Sequence, residues 1–354
     1  MKRFSEYDLI IDARSPREYA EDHVPGAINL PVVNNEEYAE VGTMHRTDNM
    51  GAYLIGVAYS MRNIAHYLET VISKVPRRHR ILVYCFRGGK RSKLWYDALE
   101  TVGFRVDKLP GGWKGYRRWV NEQLAELPRQ FSYRVLSGPT GCGKTRLLHS
   151  LEAAGAQVLD LEALASHRGS LIGDIPNTPQ PTQKFFDSLL QEKLSTFTTD
   201  RPVWVEAESK KIGKVQLPES LLETMHERGT VIRLTAPMAE RVKLWREDYR
   251  HFEQDPDAFV AHLSTLRPLI GNQEFELWQQ LAASREIPTL FERVMTNHYD
   301  RAYARSTARN YARLEQSACV DLPDLSAQTL TDIAPGLIDR FESKLVAEQE
   351  TNRP

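Results

Sequence analysis

Residues 81–92 read ILVYCFRGGKRS and combine the features of a buried strand with those of an anion-binding loop. The apolar run predicts a strand, Cys85 stands at its end, and two glycines follow within four residues. A residue at the carboxyl end of a parallel strand lies where open α/β folds bind their ligands. The stretch therefore predicts a parallel sheet with a cysteine at its ligand-binding edge.

The loop after this strand carries groups that stabilise negative charge on the sulfur. Backbone amides and the N-terminus of a helix predicted from Arg91 favour the Cys85 thiolate. Glycines permit a tight loop, and arginines pair with bound anions. A cysteine that only packs in the core needs neither the glycines nor the arginines, so we interpret Cys85 as a catalytic nucleophile. The predicted anion-binding loop comprises Phe86, Arg87, Gly88, Gly89, Lys90, Arg91 and Ser92.

The chain as a whole has the composition of a globular protein with two domains. Its 354 residues exceed one ordinary core, and 41% are hydrophobic and 26% charged. The net charge of -1 provides no uniform field, so an anionic partner needs local patches. With no stretch typical of a signal peptide or a membrane span, we expect a cytoplasmic protein without membrane contact. Three widely separated cysteines favour neither a disulfide framework nor a zinc site.

Strands and helices alternate in both halves of the chain, which predicts two α/β domains with largely parallel sheets. Pro128 closes a predicted helix before a new strand begins. We therefore place the first domain at residues 1–127 and the second at residues 128–354, with a helical C-terminal region. The sequence does not predict an oligomeric state.

The second domain carries a phosphate-binding P-loop. GPTGCGKT satisfies G-x-x-x-x-G-K-[ST] and lies between a predicted strand and a predicted helix, as this motif requires. Its amides converge on phosphate oxygens, Lys144 adds a positive charge and Thr145 can hold magnesium. Cys142 is expected to pack rather than to react. The loop comprises Gly138, Pro139, Thr140, Gly141, Cys142, Gly143, Lys144 and Thr145.

Polar residues near other strand ends extend this candidate site. Glu206 and Glu208 follow a predicted strand and are candidates for magnesium binding or acid–base catalysis. By analogy with P-loop kinases, Arg241 or Arg246 is a candidate phosphate contact, although a solvated helix face is the more usual role of such arginines. Candidate substrate contacts are Asp160, Glu162, His167, Arg168 and Ser170. A helix cap is an equally good role for Asp160.

The segment LIIDARSPREYAEDHVPGAINLP at residues 9–31 resembles the rhodanese-like sulfurtransferases, as does GGWKGY after the cysteine loop. The resemblance implies their fold, with Cys85 as the loop cysteine that carries a persulfide. Matching residues are Asp12, Arg14, Glu18, His23, Pro25, Gly26, Ala27 and Asn29. We expect structural roles for Asp12 and Arg14. The C-x5-R spacing to Arg91 is one residue longer than in simple rhodaneses and equals that of cysteine phosphatases, which leaves both chemistries open.

The pairing of the two domains resembles the tRNA 2-selenouridine synthase family, as do YCFRGGKRS, DLEALASHRGSLIG, VEAESKKIG and NHYDRAY. The resemblance implies geranyl transfer from geranyl diphosphate to 2-thiouridine at the tRNA wobble position. Selenium from selenophosphate then replaces the S-geranyl group. It implies that Cys85 carries selenium or engages selenophosphate, whose selenium a thiolate can attack. The P-loop would hold the diphosphate, although Lys144 and Thr145 would serve ATP equally well.

No tightly bound cofactor is expected; selenophosphate and geranyl diphosphate are co-substrates, and magnesium is a candidate ion. Candidate tRNA contacts are Arg301, Arg305 and Arg309, which recur every four residues, with Tyr299 and Tyr303 nearby. A solvated helix face is the simpler interpretation of the arginines alone, and the family resemblance favours RNA. The alternative function is a cysteine phosphatase or sulfurtransferase fused to a P-loop small-molecule kinase.

Overall fold

A computed structural model describes residues 4–311 and 317–342. The chain forms two compact units. The first unit comprises the chain up to Gln123 together with Thr182–Glu192, and the second comprises Leu124–Pro181 together with the chain from Lys193 on. The predicted boundary after residue 127 lies close to the observed one, but no local pattern indicated that Thr182–Glu192 belongs to the first unit.

The first unit contains a four-stranded parallel sheet in the order β2-β1-β3-β4. Its strands are β1 (Leu9–Asp12), β2 (Ile28–Asn29), β3 (Arg80–Tyr84) and β4 (Arg105–Lys108). Its helices are α1 (Pro16–Glu21), α2 (Asn35–Met44), α3 (Asn49–Thr70), α4 (Lys90–Val102) and α5 (Gly112–Glu126), the last extending past the unit's end. The predicted parallel α/β architecture is confirmed for this half.

Local sequence explains where the elements around the cysteine loop begin and end. Ser15 and Glu18 form a capping box at the start of α1, which satisfies amides that a helix leaves unpaired. Gly103 ends α4 in the left-handed conformation that favours glycine. Behind β3, Ile11 and Trp95 are fully buried in the core of the unit. The carboxyl end of β3 is thereby fixed against α4.

The second unit contains a five-stranded parallel sheet in the order β11-β10-β5-β7-β6. Its strands are β5 (Tyr133–Ser137), β6 (Gln157–Leu159), β7 (Val203–Glu206), β10 (Thr230–Thr235) and β11 (Ala318–Asp321), and a separate antiparallel pair is formed by β8 (Lys211–Ile212) and β9 (Val215–Gln216). Beside the sheet lie α6 (Lys144–Ala153), α7 (Leu161–Ala165), α9 (Glu219–Arg228) and α17 (Ala327–Glu342). Helix α8 (Gln183–Ser195) begins in the first unit and ends in the second.

The predicted helical region is confirmed between β10 and β11. It comprises α10 (Met238–Asp248), α11 (Arg250–Gln254), α12 (Pro256–His262), α13 (Arg267–Ile270), α14 (Asn272–Ala283), α15 (Ile287–Val294) and α16 (Asp300–Asn310). These helices have an aromatic-rich core of their own, in which Trp245, Phe259, Trp278 and Phe291 are buried. Within the described residues, no helix combines the length and apolar character needed to span a bilayer.

Candidate active sites

Cys85 follows β3 directly and faces the first turn of α4. Its side chain is 3% exposed, and its Sγ lies 3.3 Å from the Oγ of Ser92. The same hydroxyl donates to the carbonyl oxygen of Gly89 at 3.1 Å, and a protonated Cys85 thiol can then donate to the hydroxyl oxygen. When the sulfur is a thiolate, its negative charge makes it the stronger acceptor. The hydroxyl and the helix N-terminus then both stabilise the thiolate.

The GGW turn at residues 111–113, where α5 begins, forms hydrogen bonds with the backbone of the cysteine loop. The amide of Trp113 donates to the carbonyl oxygen of Cys85 at 2.9 Å, and the amide of Lys114 donates to that of Phe86 at 2.9 Å. Gly112 has φ +57°, and a Cβ there would lie 2.2 Å from the Cys85 carbonyl oxygen. Only glycine can bring the two backbones this close.

Arg91 is held by a carboxylate of the protein, and its predicted pairing with a bound anion stays a prediction. Its Nη1 and Nη2 donate to the two oxygens of Glu18 at 2.6 and 3.1 Å. Although burial opposes ionisation, these bonds hold the pKa of Glu18 below its ordinary value. The pair fixes the guanidinium near Cys85, with its other N–H groups left for a ligand. Arg87 and Lys90 are the exposed cations of the loop.

The Asp12–Arg14 pair lies under the sheet edge, as the structural role expected for it requires. Arg14 Nη2 donates to Asp12 Oδ2 at 2.6 Å and to the carbonyl oxygen of Asp22 at 2.6 Å, and both side chains are buried. Asn29 Nδ2 donates to the carbonyl oxygens of Asp12 and Arg14. The His23 ring stacks on Phe185 at 4.2 Å between centroids. These residues brace the loops around β1.

The segment Thr182–Glu192 attaches to the first unit through a buried carboxylate. Ser188 Oγ donates to Asp22 Oδ1 at 2.8 Å, and Trp113 Nε1 donates to Asp22 Oδ2 at 2.7 Å. Burial raises the pKa of Asp22 to about 6, against the opposing effect of these donors and of Arg117. Trp113 therefore links the cysteine loop to this segment.

In the second unit, the P-loop connects β5 to α6 as predicted. Gly141 and Gly143 have φ of +75° and +79°, which turn the backbone around a phosphate-sized space. Lys144 begins α6, and its Nζ donates to the carbonyl oxygen of Gly138 at 3.2 Å. Cys142 is fully buried, and burial raises the pKa of its thiol, in agreement with a packing role.

A cavity of about 610 Å³ opens above this loop. Its polar lining includes Thr140, Gly141, Gly143, Lys144, Thr145, Glu162, Arg168, Ser170, Glu206 and Glu208. Its aromatic wall comprises Trp245, Tyr249, Tyr299, Tyr303 and Tyr311. The cavity therefore combines a phosphate-binding end with an apolar side.

Three glutamates converge at the polar end of the cavity. Oxygen atoms of Glu162, Glu206 and Glu208 lie within 4.8 Å of one another. Burial and neighbouring acids raise the pKa of Glu162 to about 10 and that of Glu208 to about 8. Oε1 of Glu206 is buried without a hydrogen-bond partner. A carboxylate set with such an unpaired oxygen suits a hard divalent cation.

Further buried polar atoms in the cavity lining lack partners. They include Nη1 of Arg168, whose guanidinium packs 5.2 Å from the ring of Tyr249, and the hydroxyl of Tyr311. Buried donors are normally paired, so unpaired ones lining a cavity indicate a polar ligand. Arg168 thus supplies a positive charge in addition to Lys144.

Two predicted substrate contacts have other partners. Asp160 caps α7, accepting from the amide of Ala163 at 2.8 Å, and its other oxygen lies 2.8 Å from His149 Nε2. The His167 ring is buried, and its Nδ1 accepts from the amide of Gly169 at 3.1 Å. Neither Asp160 nor His167 lines the cavity, because local hydrogen bonds hold both side chains.

Neither arginine of α10 lines the cavity, although Arg241 contacts the P-loop backbone. Arg241 Nη2 pairs with Asp300 Oδ1 at 2.6 Å, and its Nε donates to the carbonyl oxygen of Thr140 at 2.9 Å. Arg241 therefore braces the P-loop from outside. Arg246 pairs with Glu253 and does not line the cavity.

The predicted tRNA contacts divide between two environments. Arg301, Arg305 and Arg309 are exposed on α16. Tyr303 lies at the P-loop instead: its hydroxyl accepts from the amide of Gly138 at 2.8 Å and donates to Ser137 Oγ at 2.9 Å. Tyr299 is 8% exposed and also lines the cavity. The two tyrosines therefore do not form a stacking surface with the arginines.

Trp245 and Tyr249 were not predicted from the sequence as cavity residues. Their spacing of four residues in WREDY places them on one side of α10, but the same spacing equally describes a core position. No sequence pattern predicted the Arg241–Asp300 pair, because the two residues are distant in sequence.

The fold and the two sites define a rhodanese-like domain with a buried loop cysteine, joined to a P-loop domain. Family models match both parts: a rhodanese-like domain at residues 1–118 and a tRNA 2-selenouridine synthase AAA domain at residues 131–265.

Curated proteins named tRNA 2-selenouridine synthase match longer stretches of this chain than either family model does. A tRNA 2-selenouridine synthase of Nitrosomonas europaea is 37% identical over 68% of this chain and 63% of its own length. That of Hydrogenovibrio crunogenus is 35% identical over 68% of this chain and 67% of its own length, and that of Aeromonas salmonicida is 29% identical over 88% and 92%. The chain thus spans somewhat under two thirds of the first of these relatives. It belongs to the tRNA 2-selenouridine synthase family.

Proposed function

We propose that this protein converts 2-thiouridine at the wobble position of tRNA into 2-selenouridine. The name of its relatives supports this activity, and the site chemistry supports it independently. The observation that carries the proposal is the presence in one chain of a buried thiol at the N-terminus of a helix and of a P-loop that lines a half-aromatic cavity.

The P-loop cavity is the proposed site of geranyl transfer. The amides of the loop, Lys144 and the unpaired Nη1 of Arg168 would hold the diphosphate of geranyl diphosphate. Trp245 and Tyr249 would pack against the geranyl chain, since apolar carbon is excluded from water there. As the uridine sulfur forms its bond to carbon, the diphosphate departs, and these cations stabilise its charge.

Magnesium is the proposed ion of this cavity. Glu162, Glu206 and Glu208 would hold it, because carboxylate oxygens are its preferred ligands and Glu206 Oε1 has no other partner. Bound there, the ion would neutralise negative charge on the diphosphate that leaves.

The cysteine loop is the proposed site of selenation. Amides at the start of α4, with Arg87, Lys90 and Arg91, would hold the tetrahedral oxyanion of selenophosphate beside Cys85. The overall step consumes S-geranyl-2-thiouridine, selenophosphate and water, and yields 2-selenouridine, geranyl thiol and phosphate. Selenium and phosphorus keep their oxidation states in this balance.

Mass spectrometry of tRNA nucleosides tests the proposal in a gene-deletion strain complemented with variants. Wild type should restore 2-selenouridine. Cys85→Ala should accumulate S-geranyl-2-thiouridine without 2-selenouridine, and Lys144→Ala should produce neither nucleoside. The matched controls Cys319→Ala and Lys93→Ala, at exposed positions, should behave as wild type.

Two outcomes would contradict the proposal in different ways. If wild type and deletion strains contain the same 2-thiouridine derivatives, the activity is wrong. If folded Cys85→Ala protein also loses S-geranyl-2-thiouridine, the assignment of the two steps to separate sites is wrong.

A further inference from the structure

We infer that an exposed apolar stripe on α3 binds the geranyl chain of S-geranyl-2-thiouridine while this nucleoside occupies the cysteine loop. The inference rests on the proposed function, because it takes the geranylated tRNA as the substrate of selenation. It adds a binding subsite for the chain in the first unit. The α3 stripe consists of Met50, Tyr53, Leu54, Val57 and Met61.

The α3 stripe concentrates apolar side chains that are open to solvent. Nine large apolar side chains are exposed in the described part of the chain; five form the stripe, and a sixth, Tyr38, lies on the neighbouring α2. Met50 and Leu54 are 68% and 67% exposed. The five residues recur at intervals of three and four, so they lie on one side of the helix. Single exposed apolar residues are ordinary, whereas a contiguous group of them marks a binding surface.

One edge of the α3 stripe adjoins the cysteine loop. Lys90, at the start of α4, places its Nζ 3.5 Å from the centre of the Tyr53 ring. The guanidinium of the next residue, Arg91, lies 5.5 Å from the centre of the Tyr38 ring. In the same helical turn, the Oγ of Ser92 lies 3.3 Å from the cysteine sulfur. The first turn of α4 therefore contacts the cysteine on one side and the aromatic rings of α2 and α3 on another.

The charges beside the α3 stripe favour an apolar group that is attached to a polyanion. Lys90 and Arg91 can pair with RNA phosphates, while the stripe removes the apolar carbon of a prenyl chain from water. A second copy of this chain suits the surface less well, because a symmetric dimer would bring the cations of both copies to one interface. Met50 and Met61 adapt to the irregular outline of a methyl-branched chain.

Binding of the chain gives the selenation step a means to select its substrate. S-geranyl-2-thiouridine differs from 2-thiouridine in its geranyl group, whereas the tRNA phosphates are common to both. A surface that contacts the chain raises the affinity for the geranylated nucleoside alone. The aromatic wall of the P-loop cavity, in the second unit, is the proposed chain site of the first step. Each step thus has an apolar surface beside its own anion-binding loop.

The test uses the full chain and the double variant Leu54→Gln and Met61→Gln, which keeps good helix formers at exposed positions. Selenation of an anticodon stem-loop RNA with S-geranyl-2-thiouridine should fall about tenfold in kcat/KM. Geranylation of the 2-thiouridine RNA should be unchanged, as should selenation of an S-methyl-2-thiouridine RNA, which lacks the chain. The matched control Val102→Gln and Leu269→Gln removes two exposed apolar side chains outside the stripe and should behave as wild type.

Photolabelling decides the question without selenium. An RNA whose S-geranyl chain carries a diazirine should label α3 in wild type, and about tenfold less in the double variant. Label confined to the P-loop cavity, or equal labelling of α3 in both proteins, overturns the inference. So does a variant that selenates geranylated RNA as wild type but loses self-association or vesicle binding in sedimentation, because the stripe then serves a second copy or a membrane. A protein that is labelled on α3 but makes no 2-selenouridine in cells would refute the proposed function and leave the chain-binding surface standing.

Discussion

Gly112 lets the turn before α5 pack against the cysteine loop, because glycine has no Cβ. The residue combines a φ of +57° with a backbone position that leaves no space for a Cβ beside the Cys85 carbonyl oxygen. The glycine in GGWKGY is therefore a condition for the contact between the α5 turn and the cysteine loop, and not merely a flexible link.

Gly112→Ala is expected to destabilise the first unit by more than about 1 kcal/mol, since a left-handed conformation and a backbone clash both oppose it. It should also lower selenation. Urea unfolding followed by tryptophan fluorescence measures the stability. Gly42→Ala is the control, because Gly42 lies in α2 with open space around its Cα and alanine favours a helix. Equal stability of the Gly112 variant and wild type would contradict the role given to this contact.

Glu206 is a buried carboxylate at the proposed magnesium site. Its side chain is 3% exposed, and burial raises its pKa, while Lys144 and a hydrogen bond from Thr145 oppose that effect. The cluster with Glu162 and Glu208 concentrates acidic groups in a small space.

We expect Glu206→Gln to weaken Mn²⁺ binding, used as a spectroscopic probe for Mg²⁺, by about tenfold or more. The ligand-free variant should be at least as stable as wild type, because one buried carboxylate is removed. Electron paramagnetic resonance titration and thermal unfolding measure the two effects. The exposed Glu227→Gln variant should match wild type in both. Unchanged Mn²⁺ affinity at position 206 would exclude the cluster as the ion site.

Among the secondary-structure elements, α8 changes units along its length. Its first part, within Thr182–Glu192, bonds to Asp22 through Ser188 and to Arg117 through Asp187. The folded pKa of Asp22, about 6, lies above its ordinary value of 3.8. Asp22 therefore favours folding most at low pH, and that contribution is lost as the pH rises through about 6.

Ser188→Ala removes a donor that stabilises the ionised carboxylate. We expect a loss of unfolding free energy of about 1.5–3 kcal/mol at pH 8, where Asp22 is charged, and of about 1 kcal/mol at pH 5. Denaturant unfolding at the two pH values provides the measurement. Ser73→Ala is the control, because Ser73 is exposed and donates to the carbonyl oxygen of Glu69. A loss that is the same at both pH values would show that the hydrogen bond does not depend on the charge of Asp22.

Helix α16 has two functions on opposite sides. Its Tyr303 bonds to the backbone of the P-loop, and Asp300 at its start holds Arg241, which in turn bonds to Thr140. Its exposed side carries the three arginines. The helix therefore ties the shape of the phosphate-binding loop to a basic surface.

For the molecule as a whole, a net charge of -1 means that the proposed tRNA substrate would have to be bound by local basic surfaces. The triple variant Arg301→Ala, Arg305→Ala and Arg309→Ala should weaken tRNA binding and reduce the slope of log affinity against log salt by about 0.9 for each phosphate that is no longer neutralised. Fluorescence anisotropy over a salt series measures both. A control triple variant at the scattered, exposed Lys74, Lys210 and Arg250 should keep most of the slope. Unchanged tRNA affinity in the α16 variant would place the RNA elsewhere.

Motifs whose parts are close in sequence were predictable. Cys85 at a strand end, the P-loop before α6 and the two parallel sheets follow from local pattern, because a few adjacent residues set each turn and helix start. Individual partners were not predictable. Neither the pairing of Arg91 with Glu18 nor that of Arg241 with Asp300 was predicted, because each pair joins residues far apart in sequence.

Short stretches of sequence were enough to establish the class of each domain and the positions of the loop cysteine and the P-loop, since these depend on local backbone geometry. The side chains that surround them became known from the three-dimensional arrangement alone. Folding brings Ser92 to the Cys85 sulfur, Glu162 to Glu206 and Glu208, and an aromatic wall to the P-loop. Contacts of this kind depend on how separate elements pack, and packing is set by the whole core at once.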